Sequence, residues 1–412
     1  MTPLPSPLRP LVLAPLLALA ACPVARTEPF IPKDGQQVLE KLRLNAFDPA
    51  TRELRELRAR LSAQPDNLDL ASRFARACLE RARAEADPRY LGRAQAALGP
   101  WWQMPRPPIQ ALVLRATLKQ SQHDFTNALA DLSLALEMAP GNTQAWLTRA
   151  TILTVLGRYD EARRACVPLV GRAPQLLAIT AAAGIGSLTG EAARSCELLQ
   201  RALESSSTGQ PEEKLWALTV LAETCARRGQ VDQADRAFTQ ALALGRRDAY
   251  LLGAYADFLL DAGRPTEAAT LLRDETRADG LLLRLALAES CLTPKPASLD
   301  SHLATLRARF EASHLRGDNV HQREEARFTL HLLHQPREAL RLAQANWAVQ
   351  REPADARILL EAALATNDLS TGQPVLEFTR GTGLEDVALS RLAARFSAPL
   401  NVRQTTAGKA SL

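Results

Sequence analysis

Aromatic residues are scarce in this chain, and Ala and Leu dominate in their place. Only 5% of the 412 residues are Phe, Trp or Tyr. β-Sheets draw on aromatic and β-branched side chains, whereas Ala and Leu are strong helix formers. The composition therefore disfavours a β-rich domain and predicts packed helices.

An excess of charge of one sign is also lacking. The chain has 50 Lys and Arg against 45 Asp and Glu, a net charge of +5, and the two signs are interspersed without a basic block. Proteins that bind nucleic acids usually concentrate Lys and Arg on one face or in one segment. We therefore expect no nucleic-acid partner.

Catalytic and nucleotide-binding motifs are missing as well. The sequence has no G-x-S-x-G, H-E-x-x-H, G-x-x-x-x-G-K or G-x-G-x-x-G motif in a fitting context. The closely spaced glycines Gly184 and Gly186 lie in a helical pattern, where close helix packing explains them. We predict no catalytic residue, no cofactor and no enzymatic activity.

The six cysteines include no C-x-x-C pair, which argues against a zinc site or a thioredoxin-like site. Five of them are scattered singly on predicted helices: Cys78, Cys166, Cys196, Cys225 and Cys291. Small apolar core residues are the expected role of these five. A bridge between neighbouring helices, such as Cys166–Cys196, stays open as an alternative.

The sixth cysteine, Cys22, ends the sequence Leu-Ala-Ala-Cys directly after an apolar run, and Arg9 is the only charged residue before it. This arrangement resembles the lipobox of bacterial lipoproteins, in which the cysteine becomes the lipidated first residue of the mature chain. The apolar run is far shorter than the ~20 residues of a membrane-spanning helix. Residues 1–21 are therefore predicted to be a signal peptide, and residues 22–37 a lipidated tether.

The lipobox resemblance implies a membrane-anchored protein of the cell envelope that faces the periplasm or the cell exterior. Two alternatives stay open. Residues 18–20, Ala-Leu-Ala, also suit an ordinary signal peptidase, which would release a secreted soluble protein. A cytoplasmic chain with an apolar N-terminus is the other.

A period of 34 residues runs through the middle of the chain. Its clearest unit, residues 143–174, carries Trp146, Ala150, Leu153, Gly157, Tyr159, Ala162 and Pro174. This pattern resembles the tetratricopeptide repeat, which runs W-x2-L-G-x2-Y, then A-x3-F, then P. Five such units occupy residues 109–273. The resemblance implies an all-α fold, an α-solenoid of tetratricopeptide-like helix hairpins.

The pattern decays on both sides of these five units. Residues 38–100 are predicted to be a degenerate N-terminal helical repeat region, and residues 280–396 to be degenerate C-terminal helical repeats with a capping helix. Terminal units are irregular in solenoids because they cover an exposed apolar end. Residues 397–412 are predicted to be a disordered tail. In such an array each repeat contacts its neighbours, so we expect unfolding that is less than all-or-none.

Five of the six histidines cluster between His302 and His334. His321, Glu324 or Glu325, Phe328 and His331 share one stripe at helical spacing. Two imidazoles and a carboxylate could bind a transition metal, but a solvated helix face produces the same arrangement. We predict no metal site and keep metal binding here as an alternative.

Tetratricopeptide arrays present a concave groove lined by the first helix of each unit. Carrying the groove positions over unit by unit gives Gln110, Val113, Thr117, Gln144, Leu147, Thr151, Ala178, Ala181, Ile185, Trp216, Thr219, Glu223, Tyr250, Gly253 and Asp257. None is Lys, Arg or Asn, so a clamp for a peptide's terminal carboxylate is not expected. The predicted partner-binding residues are Gln144, Leu147, Thr151, Trp216, Thr219, Glu223, Tyr250 and Asp257. Packing between units is an alternative role for Trp216 and Tyr250.

The tetratricopeptide resemblance implies a scaffold that binds a protein or peptide partner in this groove. The lipobox resemblance implies that this scaffold contacts the membrane through its lipid. An adaptor of exopolysaccharide or envelope assembly machinery is one alternative. An envelope protein that binds a metal or small ligand through the His-rich 302–334 region is the other.

Overall fold

The computed structural model describes residues 49–206, 210–317 and 320–397. These ranges contain twenty-one α-helices, one short 3-10 helix and no strand. The α-helices are α1 Pro49–Ala63, α2 Leu68–Glu85, α3 Arg89–Ala97, α4 Gly99–Trp102, α5 Ile109–Ser121, α6 Phe125–Met138, α7 Thr143–Val155, α8 Tyr159–Cys166, α9 Gln175–Gly186, α10 Ala192–Ser205, α11 Pro211–Arg227, α12 Val231–Ala243, α13 Ala249–Asp261, α14 Pro265–Leu272, α15 Asp279–Ser290, α16 Ser298–Leu315, α17 Gln322–His331, α18 Pro336–Val349, α19 Pro353–Thr366, α20 Leu369–Thr382 and α21 Val387–Ser397. The predicted signal peptide, Cys22, the tether and the tail from residue 398 lie outside the described residues.

Eighteen of these helices form nine consecutive hairpins, from α2/α3 and α5/α6 to α19/α20. The first helices of the hairpins, α2, α5, α7, α9, α11, α13, α15, α17 and α19, each pack against the next in one continuous row. We call these nine the inner helices. The described residues thus form the all-α solenoid that the 34-residue period predicted.

Small residues lie where the two helices of a hairpin meet. Ala150 and Ala162 join α7 to α8, Ala222 and Ala234 join α11 to α12, and all four are at most 2% exposed. Phe238, a large residue at 1% exposure, fills space between α12 and α13. Helices can approach closely only where side chains are small, so these alanines allow the tight packing within each hairpin.

Local sequence signals determine where α8 ends and where α21 begins. Pro168 lacks an amide hydrogen, and α8 indeed stops at Cys166 and continues as the 3-10 helix Val167–Leu169. At the other end of the chain, Asp386 accepts hydrogen bonds from the amides of Ala388 and Leu389 at 2.8 and 2.9 Å. This cap starts α21 at Val387, three residues later than the apolar pattern from Leu384 indicated.

The solenoid also touches itself between distant repeats. The α7–α8, α9–α10 and α11–α12 turns meet the segments that precede α19 and α21, a contact that we call the C-terminal seam. There the amide of Arg351 donates to the carbonyl of Val155 at 2.8 Å, and the amide of Ala192 donates to the Glu385 carboxylate at 3.1 Å. Helix α2 likewise packs on α13, where Arg83 pairs with Asp248 at 2.8 Å. Contacts across many repeats show that the array curves back on itself.

At Gly157 the α7–α8 turn lies in close contact with the C-terminal part of the chain. Its φ of +70° is a left-handed conformation, and a Cβ built at this position would lie 2.8 Å from the ring of Phe378. Both the turn and the seam therefore require glycine here.

Five cysteines lie within the described residues, and all are free thiols, four of them buried. The alternative of a Cys166–Cys196 bridge is not supported, because the sulfur next to Cys196 belongs to Cys225, 3.6 Å away. Over the ranges described, none of the helices combines the length and apolarity needed to cross a membrane.

Candidate interaction surface on the inner helices

The predicted partner-binding residues all lie on three inner helices, α7, α11 and α13. Their exposure differs widely. Gln144, Thr151 and Tyr250 are exposed, whereas Leu147, Trp216, Glu223 and Asp257 are half-buried. Thr219 is only 2% exposed, and its hydroxyl donates to the carbonyl of Leu215 within α11 at 2.7 Å. The structure thus places Thr219 inside the helix packing and not on the surface.

Trp216 lies between repeats. It packs against the apolar cluster that contains Ala150, Leu153, Tyr159 and Ala181 from the two preceding hairpins. Its ring therefore contributes to stacking of the hairpins as well as to the inner surface.

The remaining positions carried over from the repeat pattern divide similarly. Gln110 is exposed, Thr117 and Ala178 are half-buried, and Val113, Ala181, Ile185 and Gly253 are buried. The exposed part of the predicted groove is thus confined to polar positions on α5 and α7 and to Tyr250 on α13.

Tyr250 is the large aromatic side chain that this surface presents to solvent, with 56% of its area exposed. Its hydroxyl donates to Glu223 Oε1 on the neighbouring inner helix at 2.8 Å. The charge of the Glu223 carboxylate raises the pKa of Tyr250 well above its ordinary value. Burial also raises the pKa of Glu223, although Arg227 opposes that shift. The hydrogen bond holds the Tyr250 ring in one orientation on the inner helices.

Asp257 is already occupied by two arginines. Arg284 on α15 contacts its carboxylate at 2.6 Å, and Arg327 on α17 contacts it at 2.9 Å. Burial acts to raise the pKa of Asp257, but the two guanidinium groups outweigh burial and hold the pKa well below its usual range. One carboxylate thereby ties three successive inner helices together.

The same pattern of ion pairs continues through α17 and α19. Arg323 contacts Glu352 at 2.9 Å. Arg357 contacts Asp261 on α13 at 2.6 Å and Glu361 on its own helix at 2.8 Å. We call these residues, together with Asp257, Arg284 and Arg327, the charged ladder. Because Arg357 reaches α13 from three inner helices away, the row of inner helices must be strongly concave here.

Two further carboxylates in this region are strongly stabilised in the charged form. Burial opposes ionisation of Glu361, but Arg357 and His331 outweigh it and lower its pKa to about 2. Arg323 and Arg284 likewise overcome burial at Glu324 and lower its pKa to about 2. Glu361 and Glu324 are therefore ionised throughout the neutral range.

Sequence reasoning missed the arginines of the ladder, because groove positions were carried over only as far as residue 257. The period of 34 residues could have found two of them, since Arg323 and Arg327 precede Arg357 and Glu361 by that interval. In both helices the paired positions are four residues apart, which places them on one face.

The histidine stripe does not converge on one point. Phe328 is 2% exposed in the core, and each of three histidines faces a carboxylate on a different helix. His302 contacts Glu289 at 2.8 Å, His314 contacts Glu325 at 2.7 Å, and His331 contacts Glu361 at 3.0 Å. Among the described residues, no group of three His, Cys, Asp or Glu side chains is placed to hold a metal ion.

A cavity of about 110 Å³ is lined by His314, His321 and Glu325. Pockets for drug-sized ligands usually measure about 300–1,000 Å³. The His-rich region therefore offers room for a few water molecules, and nothing in its described part favours a small organic ligand.

Comparison with known proteins agrees with this architecture. Residues 120–183 match the tetratricopeptide repeat family model. A search of curated proteins gave no significant match. Many solved structures match this chain. One is a tetratricopeptide repeat protein from Parabacteroides merdae, with 14% identity and a TM-score of 0.37. That match covers 70% of this chain and 98% of the other. The APC/C hetero-tetramer Cut9-Hcn1 matches with 16% identity, a TM-score of 0.46, and coverage of 80% of this chain and 64% of the other.

Structural likenesses at such low identity and TM-score carry no inference about function. The match over residues 120–183 coincides with α6, α7 and α8 and with most of α9, in the part of the chain where the sequence pattern is clearest. Residues 120–183 thus match the tetratricopeptide repeat family, and the hairpins on both sides of them continue the same all-α solenoid architecture.

Proposed function

We propose that the chain is a non-catalytic scaffold that binds a protein or an extended peptide on its inner helices and is held at a bacterial cell envelope by lipid on Cys22. Tetratricopeptide repeats are protein-binding modules, which supports the proposal that the chain binds a protein or a peptide. Because a fold alone identifies no partner, the kind of partner must be inferred from the chemistry of the inner surface.

The observation that carries the binding proposal is the exposed, oriented ring of Tyr250. A rigid aromatic side chain supplies contact area at low cost in conformational entropy, which is why Tyr is enriched at binding hot spots. Tyr250 is 56% exposed although its hydroxyl is fixed by Glu223 at 2.8 Å. Its ring can therefore accept an apolar side chain of a partner without first being ordered.

The charges around Tyr250 restrict the partner further. Asp257 is neutralised by Arg284 and Arg327 and offers little to a basic ligand. Among the described residues, the Tyr250 hydroxyl and the charge of Arg227 stabilise the ionised Glu223 carboxylate, while burial raises its pKa. A Lys or Arg from the partner would compensate that burial. We expect an extended segment with an apolar side chain next to a basic one.

A peptide-array experiment with the full chain tests this binding mode. Tyr250→Ala should weaken the selected peptides by about 30-fold, which corresponds to a hot spot of roughly 2 kcal/mol, and should leave the melting temperature near that of the wild type. Leu315→Ala is the matched control, since Leu315 is 75% exposed on α16, which is not an inner helix. Equal affinity of the wild type and Tyr250→Ala for every peptide would refute the proposed surface.

Trp216→Ala helps to separate binding from packing. Because Trp216 packs between hairpins, we expect this variant to lose thermal stability along with any affinity. Loss of affinity at unchanged stability would instead assign Trp216 to the binding surface.

Membrane attachment is tested separately. Cys22→Ser should abolish labelling by a radioactive or clickable fatty acid and move the chain from the membrane fraction to the soluble fraction. Firm anchoring normally needs more than one acyl chain, and lipoproteins of the type that the lipobox resembles carry several on one cysteine. Persistent acyl labelling of Cys22→Ser would reject the lipid anchor and leave the binding surface unaffected.

A further inference from the structure

Two cysteine sulfurs face each other between neighbouring hairpins. Cys196 on α10 and Cys225 on α11 are 3% and 0% exposed, and their Sγ atoms are 3.6 Å apart. The two helices pack directly against each other. A disulfide needs sulfurs about 2.05 Å apart, so the two side chains must approach by about 1.5 Å.

Charge around the pair makes the two thiols unequal. The hydrogen bond with Cys225 is the largest influence on Cys196, and with Arg228 and Arg227 nearby it outweighs burial and lowers the pKa of Cys196 to about 7. The same hydrogen bond and burial raise the pKa of Cys225. Cys196 is therefore the more readily ionised thiol of the pair, and Cys225, whose sulfur also lies 3.7 Å from Gln233 Oε1, holds its proton more tightly.

The other buried cysteines lack this environment. Burial raises the pKa of Cys78 and of Cys166 to about 11 in each case, although Arg93 partly opposes the shift at Cys78. A thiol with so high a pKa is almost wholly protonated at neutral pH and is a poor nucleophile.

We propose that Cys196 and Cys225 are a redox-active pair that forms a disulfide between α10 and α11. The oxidant is a disulfide-containing molecule, such as oxidised glutathione or a protein disulfide donor. The Cys196 thiolate attacks one sulfur of the oxidant, which gives a mixed disulfide and releases the other sulfur as a thiolate. Cys225 then loses its proton and attacks Cys196, and the second oxidant sulfur leaves. Two electrons pass to the oxidant, which becomes two thiols.

The disulfide would restrict the movement of a helix that carries part of the candidate interaction surface. Helix α11 carries Trp216 and Glu223, and a cross-link to α10 fixes the junction between two consecutive hairpins. Arg228, one of the groups that lower the pKa of Cys196, also contacts the Glu385 carboxylate of the C-terminal seam at 3.7 Å, so oxidation of Cys196 changes the surroundings of a seam residue. The pair thereby links redox state to both the inner surface and the seam.

The test uses the full chain in glutathione redox buffers, followed by alkylation of free thiols and peptide mass spectrometry. We expect the Cys196 and Cys225 peptides to be joined, with a loss of about 2 Da, while Cys78 and Cys166 remain alkylated. The oxidised chain should melt on the order of 5 °C higher than the reduced chain, because the cross-link restricts the unfolded state.

Two variants complete the experiment. Cys225→Ser should prevent the bridge and leave Cys196 as a mixed disulfide with glutathione, whereas Cys166→Ser should oxidise like the wild type. Two free thiols at Cys196 and Cys225 in buffer with excess oxidised glutathione, or a bridge from Cys196 to Cys166, would overturn the proposal. Because the mapping is made on the wild-type chain, the result does not depend on the stability of a variant, on Cys22 or on a partner.

Discussion

At the scale of single residues, the inner helices are joined by carboxylates that each contact two basic side chains. Asp257 contacts two arginines from different helices, and Glu361 contacts Arg357 and His331. Such groups stabilise the fold by joining neighbouring hairpins, and they also remove most of their own charge from the surface. Asp257, a predicted partner-binding residue, is therefore already engaged in ion pairs within the protein.

Asp257→Asn should lower stability by about 1–3 kcal/mol, because Arg284 and Arg327 would then repel each other without a counterion. Water that still reaches this site screens the two guanidinium charges and limits the loss of stability. Asp160→Asn is the control, since Asp160 is 87% exposed and its contact with Arg163 is 3.8 Å long. Urea unfolding followed by circular dichroism measures both, and equal midpoints would contradict the role of the ladder.

Acid should weaken the charged ladder in a defined pH window. The pKa of Glu361 is lowered from 4.5 to about 2 in the folded chain, so its contribution is complete above pH 4.5 and is lost as the pH falls towards 2. Glu361→Gln should therefore melt below the wild type at pH 7, and the difference should shrink between pH 4.5 and pH 2. Melting curves across this range measure the effect, and a constant difference would argue against it.

At the scale of helices and hairpins, small residues determine how closely two helices approach. Ala222 is fully buried between α11 and α12, and a larger side chain would force the two apart. Ala222→Leu should cost about 1–3 kcal/mol by overpacking. Ala182→Leu, on an exposed face of α9, should have little effect and serves as the control. Equal urea midpoints for the two variants would refute the hairpin packing.

Most of the helices could be predicted from the sequence, because their signals are local. The pattern placed helices at residues 68–84 and 336–350, and the structure has them at Leu68–Glu85 and Pro336–Val349. The small residues of each hairpin and the proline at position 168 are also local signals. Each of these features can be predicted from the residues of a single repeat.

The parts that could not be predicted depend on how the repeats curve. The contact between Arg357 and Asp261 joins residues 96 positions apart, and no local pattern encodes that distance. It arises because small rotations between successive hairpins add up over several repeats. The same accumulation creates the C-terminal seam, so neither could be read from the degenerate C-terminal pattern.

At the scale of the whole molecule, the C-terminal seam should make local opening of the solenoid less favourable. A solenoid with contacts between adjacent repeats alone opens locally, but here Glu385 joins the N-terminus of α10 to the segment before α21. Glu385→Ala should make the amide hydrogen of Ala192 exchange about tenfold faster, because it removes a charge-assisted hydrogen bond. Glu377→Ala, which loses only a contact with Gln373 within α20, should leave that exchange unchanged.

Small-angle scattering provides the second measurement for the seam. If the seam holds the solenoid closed, Glu385→Ala should increase the radius of gyration while the helix content stays constant. An unchanged radius together with unchanged exchange at Ala192 would mean that the seam contributes nothing to closure.

The C-terminal seam also has a consequence for the order of folding. Its hydrogen bond between Val155 and Arg351 closes a chain segment of 196 residues, and closing a long segment is entropically costly and slow. The hairpins, whose contacts are local, should form earlier and stack from any starting point. A nascent chain that has not yet reached residue 351 therefore holds folded repeats with an uncovered row of turns. The part of the protein from residue 351 onwards therefore closes the solenoid only after the rest has been made.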